Sequence, residues 1–110
     1  ALVSVAAGTV APTRIEDDVR LDDRVLIAHN VHLKRGCSLT GASGVAGSTI
    51  VGENTWLGAN AAIRDGISVG ANCVIGMGSV VRDDLPDNAV TRSPDPKVIV
   101  PRRPARGLLL

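Results

Sequence analysis

A parallel β-helix of about four coils, all-β throughout, is the fold this 110-residue sequence predicts, and two interleaved spacings predict it. Every sixth residue from Ile15 to Val81 is aliphatic, in the unbroken series Ile15, Leu21, Ile27, Leu33, Leu39, Val45, Val51, Leu57, Ile63, Val69, Ile75 and Val81. Four residues after each of these comes a mostly small or β-branched residue, from Val19, Val25, Val31 and Cys37 through Ser43, Thr49, Thr55 and Ala61 to Ile67, Cys73, Ser79 and Leu85. A period of six suits neither an α-helix nor a hairpin meander. Three such units closing a triangle give a coil of 18 residues, stacked on the next at about the 4.8 Å spacing of paired strands. Residues 18 apart in the chain then become neighbours in space.

Each unit is a short strand followed by a corner. The corner falls three residues after the aliphatic, at Asp18, Arg24, Asn30, Gly36, Ala42, Ser48, Asn54, Asn60, Gly66, Asn72, Gly78 and Asp84. Asn and Gly hold seven of these twelve places, and they adopt a left-handed backbone at least cost, which is what a tight corner demands. Residues 1–14 keep the phase only loosely, at Val3 and Thr9, and are expected to form an irregular first coil. The solenoid as a whole is expected over residues 1–86, with Asp87 ending the series. Residues 87–110 hold Pro94, Pro96, Pro101 and Pro104, which cannot donate to a ladder, so an extended Pro-rich C-terminal strap is expected there. Residues 91–110 are basic, with Arg92, Lys97, Arg102, Arg103 and Arg106 against Asp95, and Leu108 to Leu110 are available to pack on a neighbour.

Composition narrows the function. One Trp, no Phe and no Tyr fit a thin column of Val, Ile and Leu better than a large globular core. So slender a column with three flat outer faces gains from burying one face against copies of itself, in a closed cyclic oligomer. A formal charge of +1, with no basic stripe interleaved with aromatics, argues against nucleic acid as a partner. No apolar run reaches membrane-spanning length and Ala1 to Gly8 lacks the basic flank of a signal peptide, so a cytoplasmic protein without a membrane partner is expected. Cys37 and Cys73 lie two coils apart on one face with Thr55 between them, roughly 10 Å from Cα to Cα, too far for a disulfide. They read as small interior residues. Trp56 closes its unit and is expected outward at a corner, covering an interface or a groove wall.

The chemistry concentrates at His29, in the unit Ile27-Ala28-His29-Asn30-Val31-His32. His29 precedes the corner residue Asn30 and points outward. One coil above it is Gly47, in the small-residue stretch Gly41-Ala42-Ser43-Gly44-Val45-Ala46-Gly47-Ser48, and two coils above is Asp65, read as a turn residue. A base beside an exposed backbone N–H is a rudimentary acyl-transfer site, in which imidazole takes the proton of an attacking amine or hydroxyl and the N–H holds the developing oxyanion. His29 is therefore the candidate base and Gly47 the candidate oxyanion donor, with Asn30 and His32 beside them as candidate substrate contacts.

The pattern of an aliphatic, often Gly next, then Asn or Gly and a small residue resembles the hexapeptide-repeat family. That resemblance implies a left-handed β-helix and a homotrimer. The stretch from Thr13 to Val31, continued by Val45-Ala46-Gly47-Ser48-Thr49, is similar to the N-acyltransferases of lipid A synthesis, whose matching His is the general base and whose matching Gly donates its N–H to the oxyanion. Those enzymes carry a further histidine where Gly66 stands, a separate N-terminal uridine-gripping domain for which these 110 residues leave no room, and C-terminal helices in place of the strap. The later stretches Trp56 to Ile63, Ile75 to Pro86 and Pro96-Lys97-Val98-Ile99 resemble small coenzyme A-dependent acetyltransferases instead, with Ser93 and Pro96 departing from the usual ending. By that resemblance Ala59, Met77, Gly78 and Lys97 are candidate contacts for the acyl donor.

Together these imply an acyltransferase using acetyl-CoA or another acyl thioester as donor substrate, with no tightly bound cofactor or metal, acting on an amino or hydroxyl group of a sugar or nucleotide sugar. A second reading is a non-catalytic scaffold, or a truncated relative of the lipid A enzyme. A third is a zinc lyase of the carbonic anhydrase type, which needs three imidazoles per metal, whereas this chain supplies only His29 and His32.

Overall fold

Three parallel sheets form the faces of a triangular prism in the computed structural model of the protein, which describes residues 2–7 and 12–97. The first face stacks β1 (Val3–Val5), β4 (Val25–Ile27), β7 (Gly44–Val45), β10 (Ala62–Ile63) and β13 (Val80–Val81). The second stacks β2 (Arg14–Ile15), β5 (His32–Leu33), β8 (Ile50–Val51) and β11 (Ser68–Val69). The third stacks β3 (Arg20–Leu21), β6 (Ser38–Leu39), β9 (Trp56–Leu57), β12 (Val74–Ile75) and β14 (Val90–Thr91). The result is a solenoid of about five turns, consistent with the left-handed β-helix expected.

Both residue series point inward. Ile27, Leu33, Leu39, Val51, Leu57 and Ile75 are fully buried, and the small series fills the corners between them with Val31, Cys37, Thr49, Thr55 and Ala61. The interior threonines turn to the backbone: Thr49 Oγ1 donates to the Arg64 carbonyl at 2.9 Å and Thr55 Oγ1 to that of Gly70 at 2.8 Å. The corner residues adopt the left-handed conformation as expected, from Asp18 (φ 61°) to Gly78 (φ 72°), including Ala42 and Ser48, both at φ 58°. Asn54 reaches down so far that a Cβ on Gly36, in the coil below, would stand 2.2 Å from its Oδ1.

The register departs from 18 only in the outermost turns. Val5, not Thr9, pairs with Ile27, so the first turn holds four residues more than the repeat; Thr9 itself is outside the described residues. The extra length lies between Ala6 and Thr13, whose Oγ1 donates to the Ala6 carbonyl at 2.7 Å. At the other end Leu85, expected in the small series, bridges Val69 and so takes an aliphatic place two residues early. Pro86 favours this, because the residue before a proline prefers an extended backbone. The corner expected at Asp84 is consequently absent, and Asn88 (φ 64°) turns the next one.

Two aspartates of this shortened turn satisfy amides of the turn before it: Asp84 Oδ1 accepts the Ser68 N–H and Asp87 Oδ1 that of Ala71, each at 2.8 Å. The ladder does not stop at Asp87. Val74 pairs with Val90 and Ile75 with Thr91, and, among the described residues, 92–97 follow without strand structure. Arg102, Arg103, Arg106 and Leu108 to Leu110 lie outside the described residues. Trp56 is not at a corner but in the middle of the third face, between Ser38 and Val74.

Candidate functional site

The edge between the first and second faces carries His29, Gly47 and Asp65 on successive turns. The ladder fixes this alignment: Ile27 pairs with Val45 and Val45 with Ile63, Ser48 N donates to the His29 carbonyl at 3.0 Å, and Gly66 N to that of Gly47 at 2.9 Å. The imidazole of exposed His29 lies flat against Gly47, since a Cβ built there would stand 2.7 Å from Cε1 and 2.8 Å from Nε2. Only glycine leaves room for the ring. The Gly47 N–H has no hydrogen-bond partner among the described residues, so the residue against which the imidazole packs carries an unpaired donor.

Asn30 turns the corner next to the base and its Oδ1 lies 3.2 Å from His29 Nδ1. With Nδ1 protonated, that contact leaves Nε2 as the basic nitrogen. Beside the edge, the first face bears a shallow groove of about 290 Å³ lined by Leu26, Ala28, Gly44, Ala46, Gly47 and Ala62. Its floor is apolar because residues of little or no side chain hold the outward positions of two turns.

His32 is drawn elsewhere. Its Nε2 meets Glu16 Oε2 of the turn below, and Glu16 Oε1 also accepts the Arg35 N–H at 3.2 Å. The His32 hydrogen bond is the main influence holding the Glu16 carboxyl below the usual carboxylate range. Sequence reasoning missed both Glu16 as the partner of His32 and Asn30 as the partner of the base.

Ala59, Met77 and Gly78 occupy a different edge, between the third and first faces. Gly78 N donates to the Ala59 carbonyl at 2.9 Å, and Ser93 Oγ donates to the Met77 carbonyl at 3.4 Å, so the segment after β14 lies over this edge. The edge is narrow: a Cβ on Gly58 would meet Met77 N at 2.6 Å and one on Gly76 the Thr91 carbonyl oxygen at 2.6 Å. Met77 itself is 69% exposed. Within one chain the first face separates this edge from His29. Lys97 is exposed beyond β14.

Both cysteines are free and buried, and among the described residues no group of three His, Cys, Asp or Glu side chains converges as a metal-ligand set. No helix of the described residues is long and apolar enough to cross a membrane.

Three parallel sheets wound from six-residue units are the architecture of a hexapeptide-repeat β-helix. Residues 48–82 match the family model described as the hexapeptide repeat of succinyl-transferase, in keeping with the six-residue period of the solenoid. The chain is 34% identical over 82 residues to UDP-3-O-acylglucosamine N-acyltransferase of Caulobacter sp. (strain K31), covering 74% of this chain and 24% of that one. It is 38% identical over 97 residues to galactoside O-acetyltransferase of Escherichia coli (strain K12), covering 77% and 46%. Its backbone is similar, at a TM-score of 0.61 and 26% identity, to a His-to-Asn mutant of perosamine N-acetyltransferase from Caulobacter crescentus solved with CoA and GDP-perosamine, covering 71% and 49%. The chain thus spans from about a quarter to about half the length of the relatives it matches.

Proposed function

We propose that the chain transfers an acyl group, most simply acetyl from acetyl-CoA, to an amino or hydroxyl group of a sugar or nucleotide sugar. The observation that carries this reading is the His29 ring packed on Gly47 with the Gly47 N–H unpaired among the described residues. Nε2 takes the proton from the acceptor as its nitrogen or oxygen attacks the thioester carbon. The Gly47 N–H holds the resulting oxyanion, and collapse expels the thiolate, which recovers the proton from the imidazolium. Asn30 keeps the ring turned so that Nε2 faces the reaction. Relatives that are sugar acyltransferases by name, and a similar fold solved with CoA and GDP-perosamine, support the substrate class.

The donor contacts by resemblance, Ala59, Met77, Gly78 and Lys97, are one face away from His29 in the same chain. A cyclic homotrimer resolves this, because each copy's His29 edge can then meet the Ala59 and Met77 edge of its neighbour, forming three equivalent sites. The exposed Val80 and Met77 next to that edge supply apolar surface for the contact. A cytoplasmic location fits the thioester and nucleotide-sugar pools that such a reaction would draw on.

The deciding experiment is thiol release from acetyl-CoA with amino sugars and nucleotide-linked amino sugars as acceptors, comparing the wild type with His29→Ala. Loss of turnover in the variant is expected, and equal turnover removes His29 from the mechanism. Absence of turnover in the wild type, together with no stabilisation by CoA in thermal melts, would favour a non-catalytic scaffold.

A further inference from the structure

The outward column of the first face that runs beside the His29 edge reads Ala28, Ala46, Arg64, Arg82 from turn to turn. Its alignment follows from the ladder bonds Ala28 N to Val45 O, Ala46 N to Ile63 O and Arg64 N to Val81 O. The column is bare on the two turns that carry His29 and Gly47 and cationic on the next two. Arg64 and Arg82 are exposed, and among the described residues neither forms an ion pair. Arg64 Nη1 donates to the Arg82 carbonyl at 3.4 Å, which lays its guanidinium along the face toward the Arg82 turn. Two arginines thus stand on one strip in successive turns, with the Arg64 guanidinium turned toward the backbone of Arg82. Nearby Gly66 leaves open space, since a Cβ there would meet nothing within 4 Å.

The acidic neighbours are Asp65, Asp83 and Asp84. Asp84 is occupied by the Ser68 amide, and Asp65 and Asp83 are exposed without an ion pair among the described residues. None of them is bonded to the arginine pair. A planar guanidinium offers paired N–H donors that match phosphate oxygens, and two on one strip match a diphosphate.

We propose that Arg64 and Arg82 form a diphosphate subsite, so that the substrate reaching His29 from this side is a nucleotide-linked molecule and not a neutral sugar. Turns are spaced by about 4.8 Å, which puts the Arg64 backbone about 5 Å and that of Arg82 about 10 Å above Gly47 along the axis. In calling the ligand a substrate of the His29 edge, the proposal rests on the acyl-transfer reading. The subsite itself can be tested without it. The diphosphate can belong to the sugar nucleotide or to the nucleotide of the thioester donor.

Isothermal titration calorimetry with inorganic pyrophosphate at low salt, on the wild type, Arg64→Gln/Arg82→Gln, Arg64→Lys/Arg82→Lys and His29→Ala, tests it. Pyrophosphate binding to the wild type and to His29→Ala is expected, with Kd raised roughly tenfold or more in the double Gln variant and partly restored in the double Lys variant. Repeating the titration with UDP, GDP and CoA separates the sources, because the arginine-dependent one supplies the diphosphate. Unchanged Kd values for all of these in the double Gln variant, or no pyrophosphate binding to the wild type, overturn the subsite. If His29→Ala turns over normally while pyrophosphate binding still depends on the arginines, the acyl-transfer reading falls and the anion site stands.

Discussion

Glu16 and His32 hold one another across two turns of the second face, Oε2 against Nε2, and tie the lowest full turn to the one above. That tie matters because the bottom of the column is open: Ile15 is 41% exposed, whereas Leu33, its partner in the next turn, is fully buried.

The same contact sets a pH dependence. The His32 hydrogen bond, helped by the Arg35 amide and by the positive groups of His32 and Arg14, keeps the Glu16 carboxyl below its ordinary 4.5 despite some desolvation. A carboxyl depressed in the folded state stabilises it above the unfolded value and ceases to as pH falls through the folded one. Melting temperatures of the wild type and Glu16→Gln should therefore differ near neutral pH and converge as pH falls below 4.5. A gap of constant size across that range would contradict the assignment.

Gly47→Ala should abolish most of the activity although the backbone N–H of residue 47 is kept. The new methyl would occupy the space of His29 Cε1 and Nε2, 2.7 and 2.8 Å away, and the ring must swing out while the amide stays. A loss of roughly a hundredfold in kcat/KM is expected, about the cost of disabling one oxyanion or base contact. His29→Ala/Gly47→Ala should then be no worse than His29→Ala alone, and additive losses would show that the two residues act separately.

Cys37 and Cys73 should resist alkylation in the folded protein. Burial pushes the Cys37 thiol up to about 11, and its Sγ donates to the Gly52 carbonyl at 3.0 Å. Cys73 is 1% exposed and its amide donates to Thr55 Oγ1 at 3.1 Å, with that threonine standing between the two sulfurs. Iodoacetamide at about pH 8 should label neither until denaturant unfolds the column, as read by intact mass. Prompt labelling of the native protein would mean that the column opens.

Ala42→Asn should stabilise. Ala42 sits at φ 58° on the surface, a backbone that costs an L-residue of this kind about 1 kcal/mol and that asparagine tolerates better. Asn already serves this place at residues 30, 54, 60 and 72. A rise of a few degrees in Tm is expected, and a fall would mean that the corner is crowded.

The period of six made the prism legible before any coordinates, because every interior place is filled by one of two residue kinds. The pairing of His29 with Gly47 was legible for the same reason, being a difference of one coil. The same arithmetic separates the edges: Ala59 is twelve residues beyond Gly47, two strands further round, and so cannot share its edge. What stayed hidden depends on side-chain reach or on turns that break the period. The Glu16 to His32 contact spans sixteen residues, a spacing the stacking rule does not mark. The slip at Leu85 follows from a proline and two aspartates, which satisfy amides where the regular turn would have used carbonyls.

Departures from the 18-residue register occur at Val5 and from Leu85 onward, in the outermost turns, and nowhere between. An insertion or deletion in the middle of such a chain rotates everything beyond it about the axis, carrying interior aliphatics to solvent and parting the imidazole from its glycine. Length in the central turns is therefore quantised: the molecule can gain or lose a whole triangle, whereas the gain or loss of a single residue is tolerated only where no further storey depends on it.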